Sequence, residues 1–355
     1  LLSYSLAAVV LAALALGAYV YWFSITELAP EAIIYEVRPG TTLRGFARQM
    51  HQQGVLPDSH TLVWLAYLRG QDRNLKAGEY RFRNGITPSR MLEQVIAGRV
   101  VEYPVAIIEG WTFKQVLEAL AAAPRLTHTV QALKPYQIMA SLGYPGMHPE
   151  GRFYPDTYYY SAGMSDLIVL QRAFQKMDQR LQQEWANRDA NVPLKSPDEA
   201  LILASIVEKE TGKAEERPLI AGVFLQRLRM GMKLQTDPTV IYGMGDKYHG
   251  NIGIKDLRTY TPYNTYSIKG LPPTPIAMPS GEALHAALNP AETKALYFVA
   301  RGDGGHVFSE TLSQHNEAVV KYQLNGRPNS ATQNPATPTT KTSLPRRAKP
   351  AASPQ

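Results

Sequence analysis

Residues 1–23, LLSYSLAAVVLAALALGAYVYWF, carry no charged side chain, and no other stretch restricts the chain as strongly. A helix rises about 1.5 Å per residue, so about 20 apolar residues cross the roughly 30 Å hydrocarbon layer of a bilayer. Tyr19, Tyr21 and Trp22 gather at one end, where rings with a polar edge settle at a membrane–water boundary. A cleaved leader has a shorter apolar core and a small-residue cleavage site. We therefore expect a retained single-pass anchor at 1–23. No Lys or Arg occurs between Phe23 and Arg38, whereas a cytoplasmic flank is normally basic, so the body is expected outside the cytoplasm.

The 355 residues suffice for two or three domains with cores of their own. With no cysteine there is no disulfide framework, thiolate zinc site or cysteine nucleophile, which suits a bacterial periplasm. The formal charge of +7 could suggest nucleic acid. Five of those charges, however, are Arg327, Lys341, Arg346, Arg347 and Lys349, in a tail after Leu324 that has no acid. The body is nearly neutral, which argues against a basic nucleic-acid groove. The tail, 325–355, is rich in Pro and Thr and is expected to be disordered.

The expected class is α+β. After a linker at 24–32, Ile33–Val37 reads as a strand, Thr41 or Thr42 caps a helix ending near Gly54, and a second helix runs from Ser59 to Leu68. Leu75–Phe82 returns as a strand. This strand–helix–helix–strand order resembles a LysM module, expected at 33–105, with the larger body at 106–324. A further helix is expected at 88–96 within that module, and in the larger body helices are expected at 113–122, 130–142, 165–185 and 218–230, a hairpin at 296–309 and a last helix at 311–324. Pro149–Tyr160 reads as a loop in which aromatic rings stand beside Glu150, Arg152 and Asp156. Such loops hold sugar rings through apolar faces and hydroxyl hydrogen bonds, and a surface loop pinned to the core by its tyrosines would look the same.

Ser196–Gly212, SPDEALILASIVEKETG, is the most completely specified helix. Ser196 is a cap, Pro197 suits the first helical position, Glu199 completes a capping box and Gly212 is a stop. At about 100° per residue, Ile202, Leu203, Ile206 and Val207 share one side, and Ala204, Ser205 and Glu208 another. Small neighbours leave room for a ligand, and an apolar helix behind a carboxyl suits a general acid. On the local sequence alone, a solvated last turn of charge at Glu208, Lys209 and Glu210 is the commoner explanation of this pattern.

Five blocks extend this pattern: IVEKETG at 206–212, LQTDPTVIYG at 234–243, YNTY at 263–266, GLPP at 270–273, and GGHVF with SQHN at 304–308 and 313–316. In that order they resemble the YceG-like (MltG) family of endolytic murein transglycosylases, from the anchor to about Leu324. The resemblance implies an inner-membrane protein whose YceG-like catalytic domain lies in the periplasm and cuts nascent peptidoglycan strands internally. Such enzymes cleave between N-acetylmuramic acid and N-acetylglucosamine without water, leave 1,6-anhydro ends, and limit strand length during wall assembly. It assigns the acid to Glu208, implies no cofactor and no metal, and brings cell wall synthases into view as partners. Glu150, Gln235, Thr236, Asp237, Tyr242, Asn264 and Tyr266 are the expected substrate-binding residues, with Glu150, Gln235 and Asp237 the candidates for holding Glu208 protonated. One acid is enough when the nucleophile is the substrate's own hydroxyl, whereas a hydrolase needs two carboxylates at set spacing.

Two other readings stay open on the sequence: a hydrolase of the same bond with Glu150 or Asp237 as base, and a non-catalytic wall-binding scaffold. A serine transpeptidase is excluded, because no Ser-x-x-Lys occurs. No His-Glu-x-x-His occurs either, and the eight histidines are scattered.

Overall fold

The structure, a computed structural model, describes residues 2–28, 32–72 and 75–324. Residues 29–31 of the expected linker and the whole basic tail at 325–355 lie outside the described residues. Among the described residues the chain forms two compact units, one within 2–105, 123–128 and 159–166, the other within 106–122, 129–158 and 167–324.

The first unit begins with α1 (Leu2–Ile25), long and apolar enough to cross a membrane. From Tyr4 to Leu16 its large side chains are exposed, whereas Val20 and Phe23 are buried. They join one hydrophobic cluster with Phe46, Met50, Leu62, Tyr80, Phe82 and Leu92. The helix thus ends inside the unit's core instead of leading into a free tether. β1 (Ile33–Val37), α2 (Leu43–Gln52), α3 (Ser59–Leu68) and β2 (Gly78–Phe82) follow. β1 and β2 pair antiparallel with Tyr35 opposite Tyr80. Each helix start has its side-chain acceptor: Thr42 for Gly45 N, and Asp58 for His60 N and Thr61 N. α4 (Pro88–Ala97) is capped by Thr87 and stopped by Gly98 in the left-handed conformation (φ 69°). β3 (Glu102–Ile107) continues the chain into the second unit.

The second unit is mainly helical: α5 (Phe113–Ala121), α6 (Pro135–Ser141), α7 (Asp166–Ala186), α8 (Pro197–Glu210), α9 (Arg217–Arg229), α10 (Asp237–Met244), α11 (Ile254–Arg258), α12 (Gly281–Leu288) and α13 (Leu312–Tyr322). β4 (Asp156–Ser161) pairs with β3, and β5 (Tyr297–Ala300) with β6 (His306–Ser309) in an antiparallel hairpin. The core packs α8 against α9 and α12, with Leu201, Leu203, Ile206, Ile220, Phe224 and Leu284 all at 1% exposure or less.

Several expectations need correction. The helix expected at 130–142 is only the seven-residue α6. The aromatic stretch at 149–160 is half strand, and Phe153, Tyr158 and Tyr160 are buried, so these rings serve the core and not a sugar. The block at 234–243, where the sequence pattern predicts no element, contains α10, started by Pro238 at a first-turn position. α8 is capped by Ser196 as expected, with Glu199 N donating to its Oγ at 3.2 Å, but the Glu199 carboxylate reaches Lys195 N (2.7 Å) and closes no capping box. The helix ends because Thr211 turns extended (φ −142°), not because Gly212 adopts a left-handed cap.

Candidate active site

All of the candidate site residues lie in the second unit. Glu208 sits in the last turn of α8, whose residues Ala200 to Val207 are all buried. The small face of α8 is not an open groove: Ser205 is fully buried, and its Oγ accepts from Ile276 N at 3.0 Å. The segment 276–280 therefore lies along that face and ends beside Glu208.

Glu208 keeps only 6% of its side chain exposed. Its Oε2 accepts two hydrogen bonds from Ser280, from the backbone N at 3.0 Å and from Oγ at 2.5 Å. Ser280 is also the cap of α12, its Oγ accepting from Ala283 N at 3.1 Å. The carboxylate thus faces the positive end of a helix as well as two donors. On the other side, Arg217 Nη2 stands 3.4 Å from Glu208 Oε1, and Arg217 Nε is buried with no partner among the described residues. The opposite wall is the turn at Glu109–Trp111. Gly110 N donates to Met278 O (2.8 Å) and Met278 N to Trp111 O (2.7 Å). Gly110 has φ +73°, and a Cβ there would come within 4.0 Å of Glu208 Cγ. Lys209 Nζ donates to Gly110 O at 3.1 Å. Desolvation of its ammonium pushes Lys209 below its ordinary value, while the charges of Glu208 and Glu150 pull the other way. Glu109 is raised, first by burial and then by the charge of Glu208.

Glu150 occupies a second buried pocket. It is 3% exposed, accepts from Phe113 N at the start of α5 (2.9 Å) and from the Tyr242 hydroxyl (3.0 Å), and is pushed up to about 7 by burial. Glu210 is also raised to about 7 by burial, with the Thr236 hydroxyl donating to it. The Asp237 carboxylate accepts from the Tyr266 hydroxyl at 2.6 Å, and burial with that neighbouring charge holds Tyr266 well above its usual value. Thr236 N donates to Thr265 Oγ1 (3.0 Å), tying the start of α10 to the 263–266 loop.

Asn264 is fully buried. Its Nδ2 donates to the carbonyls of Asp256, Leu257 and Thr259, and its Oδ1 accepts from Tyr266 N. With that capacity used, it shapes the loop and offers nothing to a substrate. Gln235 is different. It is exposed, and it alone among the described residues other than glycine has a positive φ (53°). A long side chain held in that strained conformation is a mark of functional loops.

None of Glu150, Gln235 and Asp237 hydrogen-bonds to Glu208. The residues that do, Ser280 and Arg217, were missed from sequence. Ser280, placed before the helix-forming GEALHAAL, carries a cap signal, but nothing local says that the same hydroxyl serves a carboxylate 72 residues earlier. His306, in the last of the five blocks, pairs with Glu216 (2.7 Å). His315 stacks on Tyr297 with ring centroids 5.3 Å apart.

The profile of the YceG-like family matches residues 35–321. A Bacillus subtilis protein named endolytic murein transglycosylase is 28% identical over 327 residues, 86% of this chain and 90% of the relative. A Streptococcus pneumoniae protein of the same name is 26% identical over 363 residues, 90% of this chain and 65% of the relative. Among solved structures, a YceG-like protein from Listeria monocytogenes superposes with a TM-score of 0.54 at 29% identity, covering 81% of this chain and 98% of its own. With most of its length inside the family profile, and with relatives and fold in agreement, the chain belongs to the YceG-like family.

Proposed function

We propose that the chain cuts murein glycan strands internally, as a lytic transglycosylase with Glu208 as its acid. The enzyme is a lyase: no water enters the products. Protonated Glu208 gives its proton to the glycosidic oxygen between N-acetylmuramic acid and N-acetylglucosamine, and the bond from the muramic anomeric carbon to that oxygen breaks. The Glu208 carboxylate then takes the proton of the muramic 6-hydroxyl as that oxygen bonds to the same carbon, closing the 1,6-anhydro ring. The observation that carries this reading is the geometry at Glu208. A carboxylate formed in the first half finds Ser280 N, Ser280 Oγ and Arg217 already aimed at it, and fixed donors cost no reorganisation when charge develops. The strained, exposed Gln235 and the Asp237–Tyr266 pair supply hydrogen-bonding groups for the strand.

In this reading α1 anchors the enzyme in the inner membrane, the second unit faces the periplasm, and nascent strands are cut close to the synthases that extend them. The βααβ order of the first unit supports kinship with glycan-binding LysM modules. A hydrolase using Glu150 as base is the second reading, favoured by the position of that acid near neutrality. Mass spectrometry of products from defined strands separates the two, because hydrolysis adds the mass of water and the intramolecular route does not. Anhydro-ended products from the unsubstituted enzyme, and none from folded Glu208→Gln, are the expected result. Hydrated ends, or undiminished cutting by Glu208→Gln, would overturn it.

A further inference from the structure

One unassigned feature of the first unit is a cavity of about 720 Å³ lined by Arg81, Arg83, Arg90 and Arg99. Among the described residues none of these four guanidinium groups has a carboxylate partner. Two acids share the lining: Glu93, already engaged by Arg69 (3.3 Å) and Ser89 (3.2 Å), and the exposed Glu102. The walls are tied together, since Gln94 Nε2 donates to both Arg81 O and Arg99 O at 3.3 Å. Unpaired guanidinium groups around one space are a recognition surface for phosphate, which each can grip with two parallel N–H bonds.

Its place in the fold names the source of that phosphate. Gly85 and Ile86 line the cavity and are hydrogen-bonded to Leu28, three residues beyond the end of α1 (Gly85 N to Leu28 O and Leu28 N to Ile86 O, both 2.9 Å). The last exposed turns of α1 carry Tyr19, Tyr21 and Trp22, and α3, which packs on α1, exposes Trp64 and Tyr67. Aromatic rings of this kind mark the headgroup level of a bilayer. From Tyr19 to Leu28 the chain spans at most about 20 Å, six residues of helix and three of extended chain. Because Val20 and Phe23 are locked into the core, the cavity cannot drift from that level.

We propose that this cavity binds the headgroup phosphate of anionic phospholipid and seats the first unit on the membrane surface. The proposal rests on α1 being a membrane anchor, and the test separates the two. Native mass spectrometry of the full chain in detergent micelles is run with phosphatidylglycerol, with phosphatidylcholine and with inorganic phosphate alone. The expected result is a phosphatidylglycerol adduct at least about tenfold more abundant than the phosphatidylcholine adduct, as clustered basic residues give at anionic surfaces. The triple variant Arg83→Ala, Arg90→Ala, Arg99→Ala, which removes exposed side chains, should bring the two lipids level while its circular dichroism and unfolding temperature stay unchanged. An undiminished preference in that variant overturns the proposal. So does inorganic phosphate alone giving an adduct as abundant as the lipid's, since the cavity would then be a free-phosphate site. Flotation with purely zwitterionic vesicles reads α1 independently: both proteins should float, and failure refutes the anchor whatever the adducts show.

Discussion

Glu208 and Glu150 are both buried carboxylates of the second unit, yet their surroundings differ in kind. Glu208 receives a guanidinium, a hydroxyl and a backbone N–H at the start of α12. Glu150 also sits at a helix start but its donors are neutral, Phe113 N, Gly151 N and the Tyr242 hydroxyl, and burial carries it to about 7. Glu210, with one hydroxyl, behaves like Glu150. The difference teaches that burial alone does not single out a carboxyl for catalysis. What separates Glu208 is a set of donors, one of them cationic, that in the proposed reaction receives the charge formed when the proton leaves.

The comparison breaks most visibly through activity. Glu208→Gln should lower strand cutting by about 100- to 10,000-fold, the range for losing a positioned general acid. Glu150→Gln should lower it by less than about tenfold. A glutamine there can still accept from Phe113 N through its oxygen, while its NH2 group donates to the Tyr242 oxygen. Rates of anhydro-end formation from defined strands measure both. Equal losses would put Glu150 in the reaction beside Glu208 and favour the hydrolase.

The second effect is on stability. Glu150 and Glu210 have folded-state values near 7 against ordinary values of 4.5. A raised carboxyl binds its proton more tightly in the folded state, so its contribution to stability is fully present below about pH 4.5 and is lost as pH rises through about 7. The full fall is on the order of 3 kcal/mol per group. Urea unfolding at pH 5 and pH 8 should show a higher midpoint at pH 5, and Glu210→Gln should remove about half of the difference. A midpoint independent of pH would mean that these acids share the fate of exposed carboxylates.

Local structure was legible where one stretch of chain decides it. Thr42 and Ser196, both read as caps, do cap the helices that follow them, and the βααβ order of the first unit follows from alternating periodicity and turn residues. The position of Glu208 on α8 was legible for the same reason. Its partners were not: Arg217 and Ser280 come to it only because α9 and α12 pack on α8. Angular spacing on α8 suggested an empty small-residue face, but the 276–280 segment fills it. Likewise, the polarity of Asn264 suggested a substrate contact, while its hydrogen bonds are consumed by three carbonyls and an amide of its own loop.

The smallest effect tests whether Ser280 serves the fold, the acid or both. Its hydroxyl accepts from Ala283 N and donates to Glu208 Oε2, so substitution touches a helix cap and a charge-assisted bond together. Alanine and glycine differ as caps: Ser→Ala costs about 1 kcal/mol and Ser→Gly only a few tenths. Neither has an oxygen to offer Glu208, and losing that bond should cost cutting about tenfold in both. Ser280→Ala and Ser280→Gly should therefore match in activity while differing in unfolding free energy. Activity that followed stability instead would make Ser280 a cap alone and leave Arg217 and the Ser280 backbone N–H to hold the charge on Glu208.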